Sequence, residues 1–456
     1  MSFLILLLSV STVFAQTNNA PAQTDSSGGQ SKILAIIIQG NEKTKEEIIT
    51  REMKLKQGDN FDEVLAQQDQ LRIQNLGIFN RVEVANIPTK QGVILVVTVS
   101  EMWYIFPYPI IFRNDRDWSR FSIGAGLFHT NFRGRREVID FSFWLGFNPS
   151  VRLAYSNPWI FGKHKFYTSF SVFARKIRNK AFDSDAVSSS DSSNFRNFDV
   201  DEERIGFNWR IGKRFGHFTY FDINMGYQQL TISPDTLNVT LAFSGKDKLP
   251  QVGFSFTYDS RDLWEYAHKG NYINLWLTKT GFFSDVVDYV RFGMDLRKYI
   301  PIGPTTLAFR GAANLSRGET PIYDWVDFGF FTRIRGHFSE RKSRVNRVIG
   351  SAEFRFPIRK ITYHNWGPFE SMGRYGTNFR FGISGGLFVD TGALWSVSDY
   401  VQLEIQDNNK LDTDDFISGW GAGLHVFLPY NNLIRLEYAF NEDWDGQFII
   451  DALITF

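Results

Sequence analysis

The sequence predicts a mainly β fold, a sixteen-stranded transmembrane antiparallel β-barrel preceded by one small α/β module. Aromatic residues make up 16% of the chain, with 45 Phe, yet the mean hydropathy is only −0.23. Segments of about ten residues that alternate apolar and polar side chains recur along most of the chain, which is typical of strands that face lipid on one side. No apolar run of about eighteen residues follows the N-terminus, which argues against membrane-spanning helices.

The composition also narrows the function. The 456 residues carry a formal net charge of +1, so the chain lacks the basic surface typical of nucleic-acid binding. The absence of cysteine excludes a disulfide framework, a thiolate metal site and a lipid-modified cysteine. Because the seven His residues show no metal-ligand spacing, we predict neither a metal nor a cofactor.

Two segments precede the folded part of the chain. Residues 1–15 combine a short apolar run with small residues at Val13 and Ala15, a pattern typical of a signal peptide cleaved after Ala15. Residues 16–31 are rich in Ser, Gly, Asn and Gln, which indicates a disordered leader. We therefore expect the first folded domain to begin at residue 32.

Residues 32–101 predict a small domain with the order β-α-α-β-β. A short apolar strand ends at the turn Gly40-Asn41. Thr44 and Glu47 then have the spacing of a capping box at the start of a helix. A second helix is predicted over about 62–76, and two strands with alternating apolar residues follow it.

Residues 103–456 predict the barrel. Along Tyr289–Arg297, for example, every second residue is large and apolar, and its neighbours are polar or small. A soluble β-sandwich would also alternate, but with shorter strands, whereas a sheet in a bilayer must close because every backbone group there needs a partner. The sixteen predicted strands are 103–113, 120–130, 136–146, 150–157, 165–176, 203–213, 217–230, 250–259, 270–280, 286–298, 304–315, 347–357, 378–389, 416–428, 431–440 and 446–456.

The lengths of the connections indicate which barrel end carries the short turns. If the N-terminal domain marks that end, each connection from an odd-numbered to an even-numbered strand lies at the other end and can be long. The long connections at about 177–202, 231–249, 316–346 and 390–415 all obey this rule. The connection at about 358–377 breaks this rule. Either that turn is unusually long or a strand there is misplaced.

Several stretches carry a family resemblance. In the connection 316–346, Arg335-Gly336 followed by a bulky residue and Phe338 resembles the Arg-Gly-aromatic signature of the BamA/TamA outer-membrane assembly superfamily. Tyr258-Asp259-Ser260-Arg261-Asp262 and Gly386-Leu387-Phe388-Val389-Asp390 resemble two barrel elements of that family. Residues 32–101 resemble its POTRA domain. The resemblance therefore covers nearly the whole mature chain in the right order.

The resemblance implies that the connection 316–346 folds back into the barrel lumen, where its Arg meets an Asp of the wall. Alternation along the late strand points Phe388 and Asp390 into the lumen. We therefore predict that Asp390 accepts the Arg335 guanidinium and that Phe388 lies under its face, with Gly336 permitting the turn. We expect this contact to lock the loop, since a buried charge without a partner is costly.

Pro107 and Pro109 in the first predicted strand indicate a weak seam. They are two residues apart, so both missing N–H groups face the same neighbour. If that neighbour is the last strand, which ends at Phe456, the seam lacks two donors and should open easily. The alternative places both prolines in the linker before the barrel.

The resemblance implies an outer-membrane protein of a Gram-negative bacterium, with its POTRA domain in the periplasm, that inserts or translocates β-rich polypeptides without enzymatic activity. The expected partners are unfolded outer-membrane or secreted polypeptides, membrane lipids, and accessory periplasmic proteins or lipoproteins. The alternative is a dedicated secretion pore, which the single POTRA domain favours slightly. A G-x-S-x-G pattern at Gly382–Gly386 lies within a predicted strand, not in the strand-turn-helix that a serine hydrolase needs.

Overall fold

The computed structural model describes most of the chain after residue 30. The described ranges are 31–113, 121–178, 201–233, 240–242, 244–282, 286–328, 332–337, 342–365, 373, 375–396 and 411–451. The predicted signal peptide, almost all of the predicted leader, Phe338 and Phe456 lie outside them. Among the described residues, no helix is long and apolar enough to cross a membrane.

The N-terminal module is a three-stranded sheet with two helices, in the predicted order. Its elements are β1 (Ile33–Gln39), α1 (Glu46–Thr50), α2 (Glu63–Gln74), β2 (Phe79–Pro88) and β3 (Val93–Glu101). The central strand β3 is parallel to β1 and antiparallel to β2. Val97 of β3 packs with Ile49 and Ile73 of the helices, so the module has a core of its own.

The predicted capping box at Thr44 and Glu47 is wrong. Helix α1 begins at Glu46, and its N-cap residue Lys45 makes no side-chain cap. The Thr44 hydroxyl instead accepts a hydrogen bond from Asn131 Nδ2 at 3.0 Å. The local sequence pattern is overridden because this end of α1 packs against the barrel.

Eighteen further strands follow in the described part of the chain. They are β4 (Ile105–Arg113), β5 (Phe121–Phe132), β6 (Glu137–Gly146), β7 (Ser150–Ile160), β8 (Phe166–Ile177), β9 (Asp201–Phe215), β10 (Thr219–Ser233), β11 (Lys246–Asp259), β12 (Gly270–Thr280), β13 (Tyr289–Ile302), β14 (Thr305–Gly318), β15 (Val326–Phe328), β16 (Lys342–Arg344), β17 (Asn346–His364), β18 (Phe379–Trp395), β19 (Phe416–Leu428), β20 (Asn432–Asn441) and β21 (Gly446–Asp451). β15 and β16 pair with each other, and the remaining sixteen form one antiparallel sheet in chain order. Each predicted strand overlaps one of these sixteen, so the predicted fold class is confirmed.

The irregular connection predicted at about 358–377 begins later than expected, because the strand before it is seven residues longer than predicted. β17 continues to His364 and β18 begins at Phe379. The ladder between them shifts register next to Pro357, which has no N–H to donate. The end of the turn contacts the N-terminal module, since Asn80 Nδ2 donates to Thr377 O at 3.2 Å.

The two faces of the large sheet differ as the alternation predicts. Leu387 and Val389 of β18 are 52% and 49% exposed, whereas Phe388 and Asp390 are only 5% and 3% exposed. The outer face is therefore apolar, and the inner face carries the polar and charged groups. This arrangement suits a barrel with lipid outside and a polar lumen.

The sheet curves until its two ends approach each other near the N-terminal module. The ring of Phe106 in β4 lies 5.8 Å from that of Tyr430 in the turn after β19. Within the described ranges, β4 pairs only with β5 and β21 only with β20. The barrel thus has a seam between its first and last strands.

The N-terminal module lies across the barrel end that carries the short turns. Glu52 forms a bidentate salt bridge with Arg214 at the end of β9, with both N–O distances 2.8 Å. Burial disfavours the charged form of Glu52, but the hydrogen bonds and charge of Arg214 outweigh it and hold the pKa of Glu52 below its usual value. The Arg51 guanidinium also lies 4.8 Å from the Trp159 ring. The module and the barrel are therefore joined by charged contacts.

Candidate functional site

A loop inside the barrel forms the centre of the candidate site. This lumen loop joins β14 to β17 over residues 319–345, close to the predicted bounds, and contains the β15–β16 hairpin. Ile334 near its tip is fully buried and packs against Phe328 and Ile349. This apolar cluster fixes the backbone next to Arg335.

Arg335 is buried, and its guanidinium meets three carboxylates. Its Nε and Nη2 donate to the two oxygens of Asp390 at 2.6 and 2.8 Å. Its Nη1 donates to Glu353 Oε2 at 3.1 Å and to Glu437 Oε1 at 3.0 Å. The structure therefore brings the predicted pair together in the bidentate geometry that gives the strongest charged hydrogen bonds, and it adds two carboxylates.

Aromatic and glycine residues shape the surface around this arginine. The Arg335 Cζ lies 3.6 Å from the ring centroid of Phe388, a cation–π contact. Gly336 has a φ of +104°, and a Cβ there would lie 2.6 Å from Phe440 O. A Cβ on Gly419 of β19 would lie 1.7 Å from Arg335 O. The loop can lie against β19 and β20 only because both positions lack a side chain.

Further charged residues that the sequence prediction missed extend this network. Arg355 Nε donates to Glu353 Oε1 at 2.6 Å. Arg435 Nη1 lies 3.7 Å from Glu353 Oε2 and 3.8 Å from Glu437 Oε1. Together with Arg335, they place three guanidinium groups against three carboxylates, so the buried charges balance. Alternation shows which of these residues face the lumen, but not which of them meet.

Glu353, His425 and Glu437 also have the residue types of a metal site. Their ligand atoms all lie within 4.8 Å of one another. However, Arg335 Nη1 donates to oxygens of both carboxylates, at 3.1 and 3.0 Å. A cation would have to displace the guanidinium, so this cluster is an ion-pair network.

Two other residues of the lumen loop contact the last strands of the sheet. The Arg333 guanidinium pairs with Asp451 at the end of β21. His337 Nε2 lies 3.1 Å from Ser418 O and 2.7 Å from Glu442 Oε2. The loop therefore connects β17 and β18 with the strand that borders the seam.

The predicted barrel motif lies in the turn after β11. Asp259 pairs with Arg261 at 2.9 and 2.7 Å through Nε and Nη2. Asp262 Oδ1 accepts from the backbone N–H groups of Leu263 and His268, each at 2.9 Å. None of the three motif residues has a hydrogen bond to the lumen-loop arginine in the described ranges. They shape a turn instead.

The predicted seam prolines lie within β4, not in a linker. Thr130 N donates to Tyr104 O at 3.0 Å, so Tyr104 directs its backbone groups towards β5. In an antiparallel ladder, successive residues direct these groups to opposite sides. Pro107 and Pro109 therefore face the free edge of β4, which lacks two N–H donors.

The fold and the site define a class of protein, a β-barrel with an Arg-Gly loop folded into its lumen and one POTRA-type module at its N-terminus. Residues 131–450 match the Omp85 superfamily domain, and residues 31–102 match the POTRA domain described as the surface antigen variable number repeat. The chain belongs to the Omp85 superfamily, which confirms the resemblance found in the sequence. A search of the curated proteins gave no match.

Two solved structures share this fold. BamA from Haemophilus ducreyi lacking POTRA domains 1–3 is similar with a TM-score of 0.51 and 16% identity, over 94% of this chain and 84% of that one. CdiB from Escherichia coli is similar with a TM-score of 0.56 and 11% identity, over 93% of this chain and 75% of that one. Family membership supports a role in protein insertion or secretion.

Proposed function

We propose that this protein inserts or translocates β-rich polypeptides at the outer membrane of a Gram-negative bacterium. The observation that carries the proposal is the free edge of β4, which lacks the donors of Pro107 and Pro109. A sheet edge offers backbone groups to which another strand can pair. Because the edge lacks two donors, pairing between the first and last strands is weak, and an incoming strand can compete with it.

The N-terminal module has a place in this mechanism. We place it in the periplasm, where the outer edge of β2, and that of β1 beyond Leu34, have no partner strand in the described sheet. An extended polypeptide can add a strand to such an edge at little cost. Since the module lies across the mouth of the barrel, a polypeptide held there is close to the seam.

The lumen loop sets the resting state in this mechanism. Arg335 is buried and paired with carboxylates of three different strands, so the loop braces the wall next to the seam. Removing one partner of a buried ion pair costs several kcal/mol, so the loop stays in place until the network is disturbed. The lock assigned to Arg335, Gly336, Phe388 and Asp390 is part of this proposal.

A dedicated secretion pore for one or a few proteins is the second candidate. A polar cavity of about 700 Å³ is bordered by β8–β12. Uncharged Ser169, Asn208, Asn274 and Thr278 line it together with the ion pair Arg210–Asp222, and such polar groups suit a water-filled path for an extended chain.

We propose no enzymatic activity. Ser384 of the G-x-S-x-G pattern lies in the middle of β18, paired with His425 of β19 across the ladder. The His425 Nδ1 is bonded to the Tyr266 hydroxyl, not to Ser384. A serine nucleophile needs a hydrogen-bonded base and a strand-turn-helix context, and the described residues offer neither at this position.

Depletion of the protein, followed by measurement of the outer-membrane proteome, tests the proposal. Loss of many barrel proteins is expected for a general assembly factor. Loss of one exported or surface protein, with the other barrels intact, is expected for a dedicated pore. An unchanged proteome contradicts both, and re-expression of the wild-type chain is the control for indirect effects.

A further inference from the structure

The turn between β11 and β12 (residues 260–269) enters the lumen from the end that carries the N-terminal module. Its base is closed by Asp262, whose backbone N donates to Lys269 O at 3.1 Å and whose carboxylate accepts from His268 N. Residues 263–267 form the protruding tip. The turn is longer than an ordinary hairpin turn. Part of its tip is also buried, since Ala267 is only 2% exposed.

Tyr266 at the tip reaches the inner wall of the barrel. Its hydroxyl lies 2.8 Å from His425 Nδ1 on β19. Its ring meets the Phe427 ring edge-on at 5.0 Å, and the Arg355 guanidinium lies 4.6 Å from its centroid. The side chain is therefore held by one hydrogen bond, one aromatic contact and one cation–π contact.

The neighbours of Tyr266 anchor the tip on both sides. Glu265 forms a salt bridge with Arg380 of β18. Ala267 packs in a small buried cluster with Tyr299 and Ala308 of β13 and β14. The tip thus fills the module end of the lumen, opposite the lumen loop.

The outer part of the same turn is held by the N-terminal module. The side-chain amide of Asn75, at the C-terminal end of α2, makes two hydrogen bonds to its backbone. Asn75 Nδ2 donates to Asp262 O at 2.9 Å, and Trp264 N donates to Asn75 Oδ1 at 3.0 Å. One side chain of the module therefore fixes the turn two residues away from Tyr266.

The contacts continue from Tyr266 to the lumen loop. His425 Nε2 lies 3.6 Å from Glu437 Oε1, the same oxygen that accepts from Arg335 Nη1 at 3.0 Å. Arg335 in turn pairs with Asp390. An unbroken series of contacts therefore runs from the N-terminal module to the arginine of the lumen loop.

We propose that the turn 260–269 is a coupling element, in which Tyr266 acts as the positioning residue that links movement of the N-terminal module to release of the lumen loop. This inference rests on the proposed function, because it treats loop release as part of transport. A polypeptide that displaces the module pulls on the turn through Asn75. Withdrawal of Tyr266 then leaves the buried His425 without its hydrogen bond, which is costly and weakens the adjacent Glu437–Arg335 contact.

The test uses Ile334→Cys, the unique cysteine of an otherwise cysteine-free chain, in purified full-length protein in liposomes. Ile334 is fully buried, so a soluble maleimide labels it only when the lumen loop leaves its site. We expect Asn75→Ala and Tyr266→Phe to speed labelling at least about fivefold, the lower end of typical coupling effects. Tyr266→Phe keeps the ring and removes only the hydroxyl.

Asn80→Ala is the matched control, because it removes another module–barrel hydrogen bond that does not involve this turn. We expect it to leave the labelling rate unchanged. Equal labelling rates for Asn75→Ala, Tyr266→Phe and Asn80→Ala would overturn the coupling. The effects of Asn75→Ala and Tyr266→Phe should also fail to multiply in the double variant, since both act on one series of contacts.

Two more variants separate the possible failures. Asp390→Ala acts on the lock directly and should speed labelling whether or not the turn is a coupling element. If Asp390→Ala speeds labelling but Asn75→Ala and Tyr266→Phe do not, the coupling is wrong and the lock stands. If Asp390→Ala does not speed labelling either, the lock is also wrong. Asn75→Asp keeps the acceptor for Trp264 N and provides a milder variant should Asn75→Ala fail to fold. The assay contains no substrate, so its result is independent of the depletion experiment.

Discussion

At the scale of single residues, the position of the lumen loop depends on glycine, which lacks a side chain, as much as on the charged side chains. Arg335 reaches its carboxylates only because its own carbonyl lies against Gly419. A residue with any Cβ there would meet the loop backbone, which cannot move aside as a flexible side chain can. The fit is therefore set by backbone against backbone.

Gly419→Ala is expected to displace the loop and speed maleimide labelling at Ile334→Cys. Its Cβ would lie 1.7 Å from Arg335 O and 3.0 Å from Phe440 O, so the loop must shift. Gly350→Ala on β17 is the matched control, because its Cβ would meet only a Thr391 methyl group at 3.5 Å. Equal labelling of the two variants would contradict the close packing described for the loop.

The sequence predicts the central pair of this site but not its surroundings. Arg335 and Asp390 follow from an Arg-Gly motif and from the alternation of one strand. The same signals do not point to Glu353 and Glu437, because their contact with Arg335 depends on how strands distant in sequence curve around the lumen. Tyr266 was missed for the same reason, since a lone Tyr in a turn carries no signal of its partner on β19.

At the scale of elements, the two edges of β4 differ in their backbone hydrogen-bond donors. Its bonded side holds it to β5, so the strand forms in spite of two prolines. On its other side, β4 has no partner strand among the described residues, and Pro107 and Pro109 offer no N–H groups there. The sequence predicted the strand but left open whether both prolines lie in it or in a linker, and the side that they face required the register with β5.

Restoring the two donors should strengthen the seam. In the double variant Pro107→Val and Pro109→Val, two more N–H groups become available, each worth about 0.5–1.5 kcal/mol when bonded. We expect fewer spontaneous openings, measured as a higher yield of a disulfide between cysteines placed on β4 and β21. Ile111→Val, which keeps its N–H on the same edge, should behave like the wild type. An unchanged disulfide yield in the double variant would count against a gate at this seam.

The strands as a set were predictable because their signals are local. Alternation, turn residues and strand length all act within about ten residues, and the bilayer enforces them. The helix start at Thr44 failed because a contact with Asn131 in the barrel took its hydroxyl. Local sequence patterns predicted the strands, whose outer face is set by lipid. They did not predict the start of α1, which is set by a contact with another part of the chain.

At the scale of the whole molecule, acidification should loosen the N-terminal module from the barrel. His217 lies between β9 and β10, and burial, followed by the charges of Arg214 and Arg72, lowers its pKa to about 4 from 6.5. Lys165 acts in the same direction and Glu52 opposes them. When the module undocks, His217 returns to water and to its ordinary pKa. Neutral His217 therefore contributes fully to the stability of the docked state above pH 6.5, and this contribution is lost as the pH falls towards about 4.

Spin labels on Lys90→Cys and Ile302→Cys would measure this docking as a distance distribution. We expect a narrow distribution near neutral pH and a broader one in mild acid. His217→Asn should remove the change between these conditions, because it cannot take up a proton there. Glu52→Gln, which removes the carboxylate that Arg214 holds, should broaden the distribution already at neutral pH. A distribution independent of pH in the wild type would contradict the assignment.

The docked module also touches both sides of the seam. Lys45 N donates to Gly134 O beside β5, and Asn431 Nδ2 donates to Met102 Sδ beside β20. The module therefore holds the two sides of the seam together at one end of the barrel, so the strands can separate most at the opposite end. We therefore expect an opened seam to form a wedge that widens with distance from the module. In the proposed mechanism, we expect an extended strand to fit the narrow end and a bulkier segment to leave only near the opposite rim.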